Sequence, residues 1–312
     1  MNRLETAQSC AVKARYLDES CHRPADAGWE QPLDLAVFFA VLAAALMHAS
    51  WNAVVRVGLD RFNSILLLSM TQSALALALL PFVPVPAAAS WPWAAAAALL
   101  HTGYKLFLIR AYQHGDLSQI YPLARGAAPP IVAVGGVILL GEHLPPTGWA
   151  AVALIAGGVA LMAARGGSGT TRLSGQALGY ALATAGFVAG YTLVDGQGAR
   201  LAGSATAFAM WMFVGDGLVM LAYAMVTRGP KAPLAVASSW RTGLPAGALS
   251  LGSYWIALWA FTRAPVALVA ALRETSVLFA MLIGVLVLKE RAGRWRWLAA
   301  LGIGAGVMAM RL

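Results

Sequence analysis

The stretch WAAVALIAGGVALM at residues 149–162 returns at residues 297–310 as WLAALGIGAGVMAM. Trp149, Ala151, Ile155, Gly158, Val159 and Met162 recur as Trp297, Ala299, Ile303, Gly306, Val307 and Met310, all at an offset of 148. The same offset carries Arg125 onto Arg273 and Glu142 onto Glu290. Elsewhere the match needs small indels: Gly103, Ala111 and Tyr112 fall on Gly252, Ala260 and Phe261, Trp51 and Asn52 on Tyr191 and Thr192, and Gln72 on Asp216. One unit is written twice. In a chain made of apolar segments, such a duplication points to a site between the two copies.

Composition makes the bilayer the solvent. Of 312 residues, 60% are hydrophobic and 11% charged, with a mean hydropathy of +0.70, whereas a soluble surface is about a quarter charged. A helix crosses the hydrocarbon in about 20 apolar residues. Ten such runs follow one another: Leu33 to Val55, Phe62 to Val83, Trp93 to Tyr112, Ser118 to Leu140, Thr147 to Ala164, Leu173 to Val194, Ala205 to Val226, Leu244 to Phe261, Pro265 to Leu288 and Trp295 to Met310. They are rich in Ala, Leu and Gly without the alternation a closed barrel requires. The expected fold is an all-α integral membrane protein of ten transmembrane helices. A disordered tail over residues 1–32 precedes one five-helix repeat over 33–164 and a second over 173–312. Five is odd, so the copies lie upside down to one another, as inverted repeats with two packings open to opposite sides.

Several classes drop out. The net charge of +9 sits in short loops or inside helices without a basic block, which speaks against nucleic acid. Cys10 and Cys21 lie in the tail without partners at metal-ligand spacing, and no cofactor or metal is expected. No Walker A sequence supplies ATP chemistry, and no H-E-x-x-H or G-x-S-x-G marks an intramembrane enzyme. The tail lacks the apolar core of a signal peptide, and is also readable as an over-long start. Loops on the side away from the termini hold twelve cations, against three on the other side, or seven with the tail. The positive-inside rule then puts both termini outside.

Polar residues inside spans are costly and face a cavity or a bundle interior. His101, Tyr104, Lys105 and Tyr112 form one stripe on the third span; His48, Trp51 and Asn52 do so on the first. The sixth carries Tyr180, Thr184, Tyr191 and Asp195, the eighth Ser250, Ser253, Tyr254 and Phe261, the fourth Tyr121 and Arg125, and the ninth Arg273, Glu274 and Ser276. These six spans are expected to line the pathway. Arg125 and Arg273 fall about 10 to 13 Å into their spans at 1.5 Å per residue, where a guanidinium stays charged and needs a counter-charge. Either they receive a carboxylate, phosphate or phosphonate group of a substrate, or Glu274 or Asp216 holds them.

The substrate-contacting set is therefore Arg125, Arg273, Tyr104, Lys105, Tyr121, Asn52, Trp51, Tyr191 and Tyr254, with helix packing as the alternative for each aromatic. Glu274, Asp216 and His48 are the candidates for loading and releasing a proton; structural pairing is the competing reading for each. Pro129 and Pro130 should kink the fourth span beside Arg125. Glu142 and Glu290, at the ends of spans, suit loop-fixing salt bridges or helix caps. Ala153-x-x-x-Gly157 and Gly302-x-x-x-Gly306 are small-residue ridges for packing within a monomer or across a homodimer.

His48-Ala-Ser-Trp-Asn52, Tyr121-Pro-Leu-Ala-Arg-Gly126, Gly141-Glu142 and Leu272-Arg-Glu-Thr-Ser276 together resemble the EamA family of the drug/metabolite transporter superfamily, over 34–312. The resemblance implies two inverted five-helix repeats, a central cavity lined by spans one, three, four, six, eight and nine, and secondary transport of small metabolites. Lys289 departs from the pattern, standing where the first copy has Gly141. The expected protein is thus a multi-pass transporter of a bacterial-type inner membrane. It exports a small polar or anionic metabolite by proton antiport or simple exchange, as a monomer or homodimer. A non-transporting receptor or assembly factor and an intramembrane enzyme are the alternatives.

Overall fold

Four helices start at short polar residues that cap them. Asp60, Ser174 and Ser204 accept the backbone N–H groups of Asn63 (3.0 Å), Ala177 (3.1 Å) and Ala207 (3.2 Å), supplying acceptors that the first helical turn lacks. Asp34 does the same for Ala36 at 2.8 Å. The computed structural model describes residues 33–54, 60–114, 117–165, 174–286, 289 and 293–311, and the expected tail over 1–32 and Glu290 lie outside them. Among the described residues every regular element is helical: α1 (Leu35–Val54), α2 (Arg61–Leu79), α3 (Trp91–His114), α4 (Leu117–Leu140), α5 (Pro146–Arg165), α6 (Gly175–Leu201), α7 (Ala205–Arg228), α8 (Ala232–Ala237), α9 (Trp240–Phe261), α10 (Val266–Arg273), α11 (Thr275–Leu286) and α12 (Arg294–Ala309), with 3-10 turns at Leu80–Phe82 and Ala88–Ser90.

Eight of these segments are long and apolar enough to cross a bilayer, with α10 and α11 together making one of them. Two of the ten expected spans fall short of that measure. α3 is interrupted by His101, Lys105 and Arg110, and α12 has 16 residues.

Packing follows the duplication. α3 lies on α6 as α9 lies on α1; α4 lies on α6 as α10 and α11 lie on α1; α2 meets α9 as α7 meets α3. α5 faces its own counterpart α12, α2 faces α7, and α4 faces α10. Exchanging the two halves turns each of these contacts into another on the same roll, which is the mark of two-fold related copies. The α5–α12 seam shows it at atomic scale. A Cβ on Gly158 would sit 2.7 Å from Ile303 Cγ1 and 2.9 Å from the Ala299 carbonyl; one on Gly306 would sit 2.6 Å from Ile155 Cγ1 and 2.9 Å from the Ala151 carbonyl. The close approach thus runs through Gly158 rather than the expected Ala153–Gly157 ridge, since nothing lies within 4 Å of a Cβ on Gly157. The seam is inside one chain.

Among the described residues one span is interrupted, and not at a proline. α4 runs as one helix through Pro122, Pro129 and Pro130, whereas the ninth span stops at Arg273, turns at Glu274 and restarts at Thr275. The Glu274 N–H reaches back to the Ala271 carbonyl (3.0 Å), and the Thr275 hydroxyl donates to the Leu272 carbonyl (2.7 Å). Shortened i to i−3 bonding of this kind tightens one turn and interrupts the α-helix without proline or glycine.

Candidate functional site

The break brings Arg273 and Glu274 to the inner face of the ninth span, opposite Arg125 on α4 and Tyr191 on α6. There the Arg125 guanidinium grips the Glu274 carboxylate with two bonds, Nε to Oε2 at 3.0 Å and Nη2 to Oε1 at 2.8 Å. Both side chains are buried. A bidentate fork of this geometry is the strongest pairing the two groups can make, and it is one of the two alternatives set out for Arg125. The pair forms one wall of a small cavity, with room for about one water molecule, whose other walls are Ala128, Pro129 and Val132 of α4, Val188, Tyr191 and Thr192 of α6, and Ala270 and Arg273 of α10.

Arg273 reaches the same cavity in a different state. No carboxylate pairs with it among the described residues, its Nε is buried without an acceptor, and its guanidinium lies 4.7 Å from the centroid of the Tyr254 ring. A cation on an aromatic face is held, but the buried Nε–H is not satisfied. Buried donors without acceptors are few in folded proteins and call for an explanation. Trp51 Nε1 and Ser276 Oγ share this condition.

Behind the cavity stands an aromatic wall. Tyr191 stacks on His101 with centroids 4.0 Å apart, meets Tyr104 edge-on at 5.7 Å and Tyr254 at 6.0 Å. His101 Nε2 lies 2.8 Å from Asp195 Oδ2, and the Tyr254 hydroxyl donates to the same oxygen.

The expected site residues separate into groups. Arg125, Arg273, Glu274 and Tyr191 line the cavity, while Tyr254 and Tyr104 support it from behind. Three of the six expected spans, the fourth, sixth and ninth, supply the lining. His48 meets Trp51 edge-on at 5.1 Å, close enough to Arg125 and Arg273 to feel their charge. The Asn52 amide is turned back onto the His48 carbonyl at 2.8 Å. Lys105 does not line the cavity: it is ion-paired with Asp216 of α7 and bonded to Ser69 of α2 at 2.7 Å, with Thr102 donating to the second Asp216 oxygen at 3.2 Å. Lys105 and Asp216, named for different roles, are thus partners. The symmetric place is taken by Gln72, whose amide donates to Ser250 at 2.9 Å. Tyr121 lies on α4, and its side chain is outside the described residues.

Glu142 is a cap, one of its two expected roles. Its oxygens accept the Val266 N–H at 2.9 and 3.0 Å, opening α10, and it pairs with Arg200 of α6 at 2.5 Å. Arg200 also donates to the carbonyls of Phe261 (2.9 Å) and Ala264 (3.2 Å). Gly141, at φ +65°, turns the chain after α4 so that the carboxylate can reach. The sequence reading does not place Asp195 among the site residues and counts Arg200 only as a loop cation. Asp195 was on the polar stripe of its helix; nothing local marks Arg200.

A family model for EamA-like transporters matches residues 35–164 and again residues 176–312. A crystal structure of a protein with 18% sequence identity superposes with a TM-score of 0.65, covering 88% of this chain and 94% of that one, and so shares its fold. None of the curated proteins matches. Two copies of one helical unit, a seam repeated under exchange and a family match over both halves agree: the chain is a multi-pass membrane protein that belongs to the EamA-like transporter family.

Proposed function

We propose that the protein is an exporter of a bacterial-type inner membrane that moves a small polar or anionic metabolite by alternating access, with Arg273 as the receptor of the anion. The observation that carries this reading is the unequal state of two arginines at one cavity. Arg125 already has its carboxylate; Arg273 has a buried Nε without an acceptor. An anionic oxygen in the cavity would supply what Arg273 lacks, and a planar carboxylate, phosphate or phosphonate suits its fork. Trp51 Nε1 is a second donor without a partner, from the opposite half of the chain.

Ten crossings belong to the same proposal, with α3 and α12 as the third and tenth and repeats at 33–164 and 173–312 in opposite orientation. The polar groups of α3 are compatible with lipid around the bundle because they turn inward, Lys105 to Asp216 and His101 to Asp195. α12 is held along α5 by the reciprocal glycine contacts. Of the carriers named for a proton, Asp216 is occupied by Lys105 and Glu274 by Arg125, so a proton there must first displace a cation.

Flux into proteoliposomes tests the reading. Carboxylates and phosphates offered as labelled metabolites should enter with the wild-type protein, and R273Q should abolish their entry. Flux through R273Q at the wild-type rate rejects the receptor, and no flux of any metabolite class rejects the transporter.

A further inference from the structure

α3, α6 and α9 meet in a buried polar cluster behind Tyr191. Asp195 is fully buried and takes both of its donors, His101 Nε2 at 2.8 Å and the Tyr254 hydroxyl, on the single oxygen Oδ2. Its other oxygen, Oδ1, is buried and accepts no hydrogen bond from the described residues. A carboxylate oxygen left bare inside a protein is costly unless a proton or cation joins it. Among the described residues no three His, Cys, Asp or Glu side chains converge, and a metal ion requires several ligands. A proton requires one atom.

The surrounding charges decide when that proton binds. Lys105 of α3 is matched by Asp216 of α7, and Arg125 of α4 by Glu274. Arg200, further along α6, is matched by Glu142. Arg273 of α10 is the cation facing the cluster without a paired carboxylate among the described residues, and it lies on the ring of the same Tyr254 whose hydroxyl binds Asp195. Asp195 and Arg273 therefore meet the same tyrosine, one at its hydroxyl and the other on its ring.

We infer that Asp195, with His101 and Tyr254, is a proton-binding site tied through Tyr254 to the anion seat at Arg273. An anion arriving on Arg273 cancels the charge that balances Asp195, and the Asp195–His101 pair takes one proton from solution. By reciprocity the proton strengthens anion binding by the same factor. Anion and proton are then loaded together, which makes the step electroneutral and sets cotransport of an acid in place of antiport. The inference rests on the reading of Arg273 as the anion receptor.

Proton uptake and thermal stability, measured together, separate the two. Purified protein in weakly buffered detergent solution with a pH indicator receives succinate, glycerol 3-phosphate or inorganic phosphate at matched pH. At least one of them should raise Tm while the wild type takes up about one proton per chain, the stoichiometry of a single site. D195N should keep the Tm rise and take up none. Y254F, which retains the ring under Arg273 and cuts the link to Asp195, should change the uptake at least twofold, and it answers the question if D195N does not fold. A Tm rise without proton uptake in the wild type, the same uptake in D195N, or unchanged uptake in Y254F overturns the proton site. No Tm rise with any of the three anions, or an equal rise in R273Q, overturns the receptor reading instead.

Discussion

Arg125 and Arg273 hold equivalent places in the two halves, yet one is locked to a carboxylate and the other is left open. The difference is traced to two changes between the copies. Where the second copy has Glu274, the first has Gly126, whose Cβ position is 3.2 Å from Val159 Cγ1 and 3.3 Å from the Ala160 backbone nitrogen of α5, a tight fit for any side chain. Where α4 continues, the ninth span breaks at Glu274 and turns that carboxylate towards Arg125. A duplicated unit begins with two equal cations. A single added carboxylate, on a helix that breaks to present it, pairs with one of them and leaves the other without a paired carboxylate among the described residues, which is why Arg273 is the one proposed to receive the ligand.

The largest expected effect removes the lock. E274Q leaves Arg125 buried without its counter-charge and should cost about 3–5 kcal/mol of stability, seen as a large fall in Tm. The double variant R125M/E274M, which removes both charges, should recover most of it; a double variant as unstable as E274Q would mean that packing, not charge, sets the cost. Next come the positions where the copies remain alike. G158A and G306A should each cost about 1–3 kcal/mol by forcing Ile303 or Ile155 aside. Equal costs sharpen the contrast with the arginines, whereas a difference above about 1 kcal/mol would mean the seam too has lost its symmetry.

E142Q weakens the cap on α10 and the tie to Arg200 and should cost about 1–2 kcal/mol, with faster hydrogen exchange at Val266; unchanged exchange would remove Glu142 from that role. The smallest effect on stability is expected from R273Q, within about 1 kcal/mol of wild type, since no paired carboxylate is left behind. A fall as large as that of E274Q would show that Arg273 is locked as well.

Much of this architecture was legible in the chain. That α5 and α12 pack through small residues was legible, because glycine is demanded where two backbones touch; that they pack on each other, and through Gly158 in place of Gly157, was not. The inward faces of α6 and α9 could be seen because polar atoms in lipid have few places to go. Partner choice was legible only in part: Glu274 stood among the partners offered for Arg125, but the stripe that puts Lys105 beside Tyr104 on one helix says nothing of Asp216 on another. Nor was the break at Glu274, which depends on i to i−3 bonding rather than on proline or glycine, while Pro129 and Pro130 stand within a continuous α4. Asp195 lay on a recognised stripe, but its bare oxygen is a property of three helices meeting.

The central claim is that Arg273 receives an anion while Arg125 only shapes the cavity. Thermal-shift titration of wild type and R273Q with succinate, glycerol 3-phosphate and inorganic phosphate tests it most directly, because a ligand that binds the folded state raises Tm with the logarithm of its concentration. The account predicts that the two proteins melt at nearly the same temperature without ligand, that at least one anion raises the wild-type Tm, and that R273Q does not respond. A response of R273Q equal to that of the wild type would contradict it.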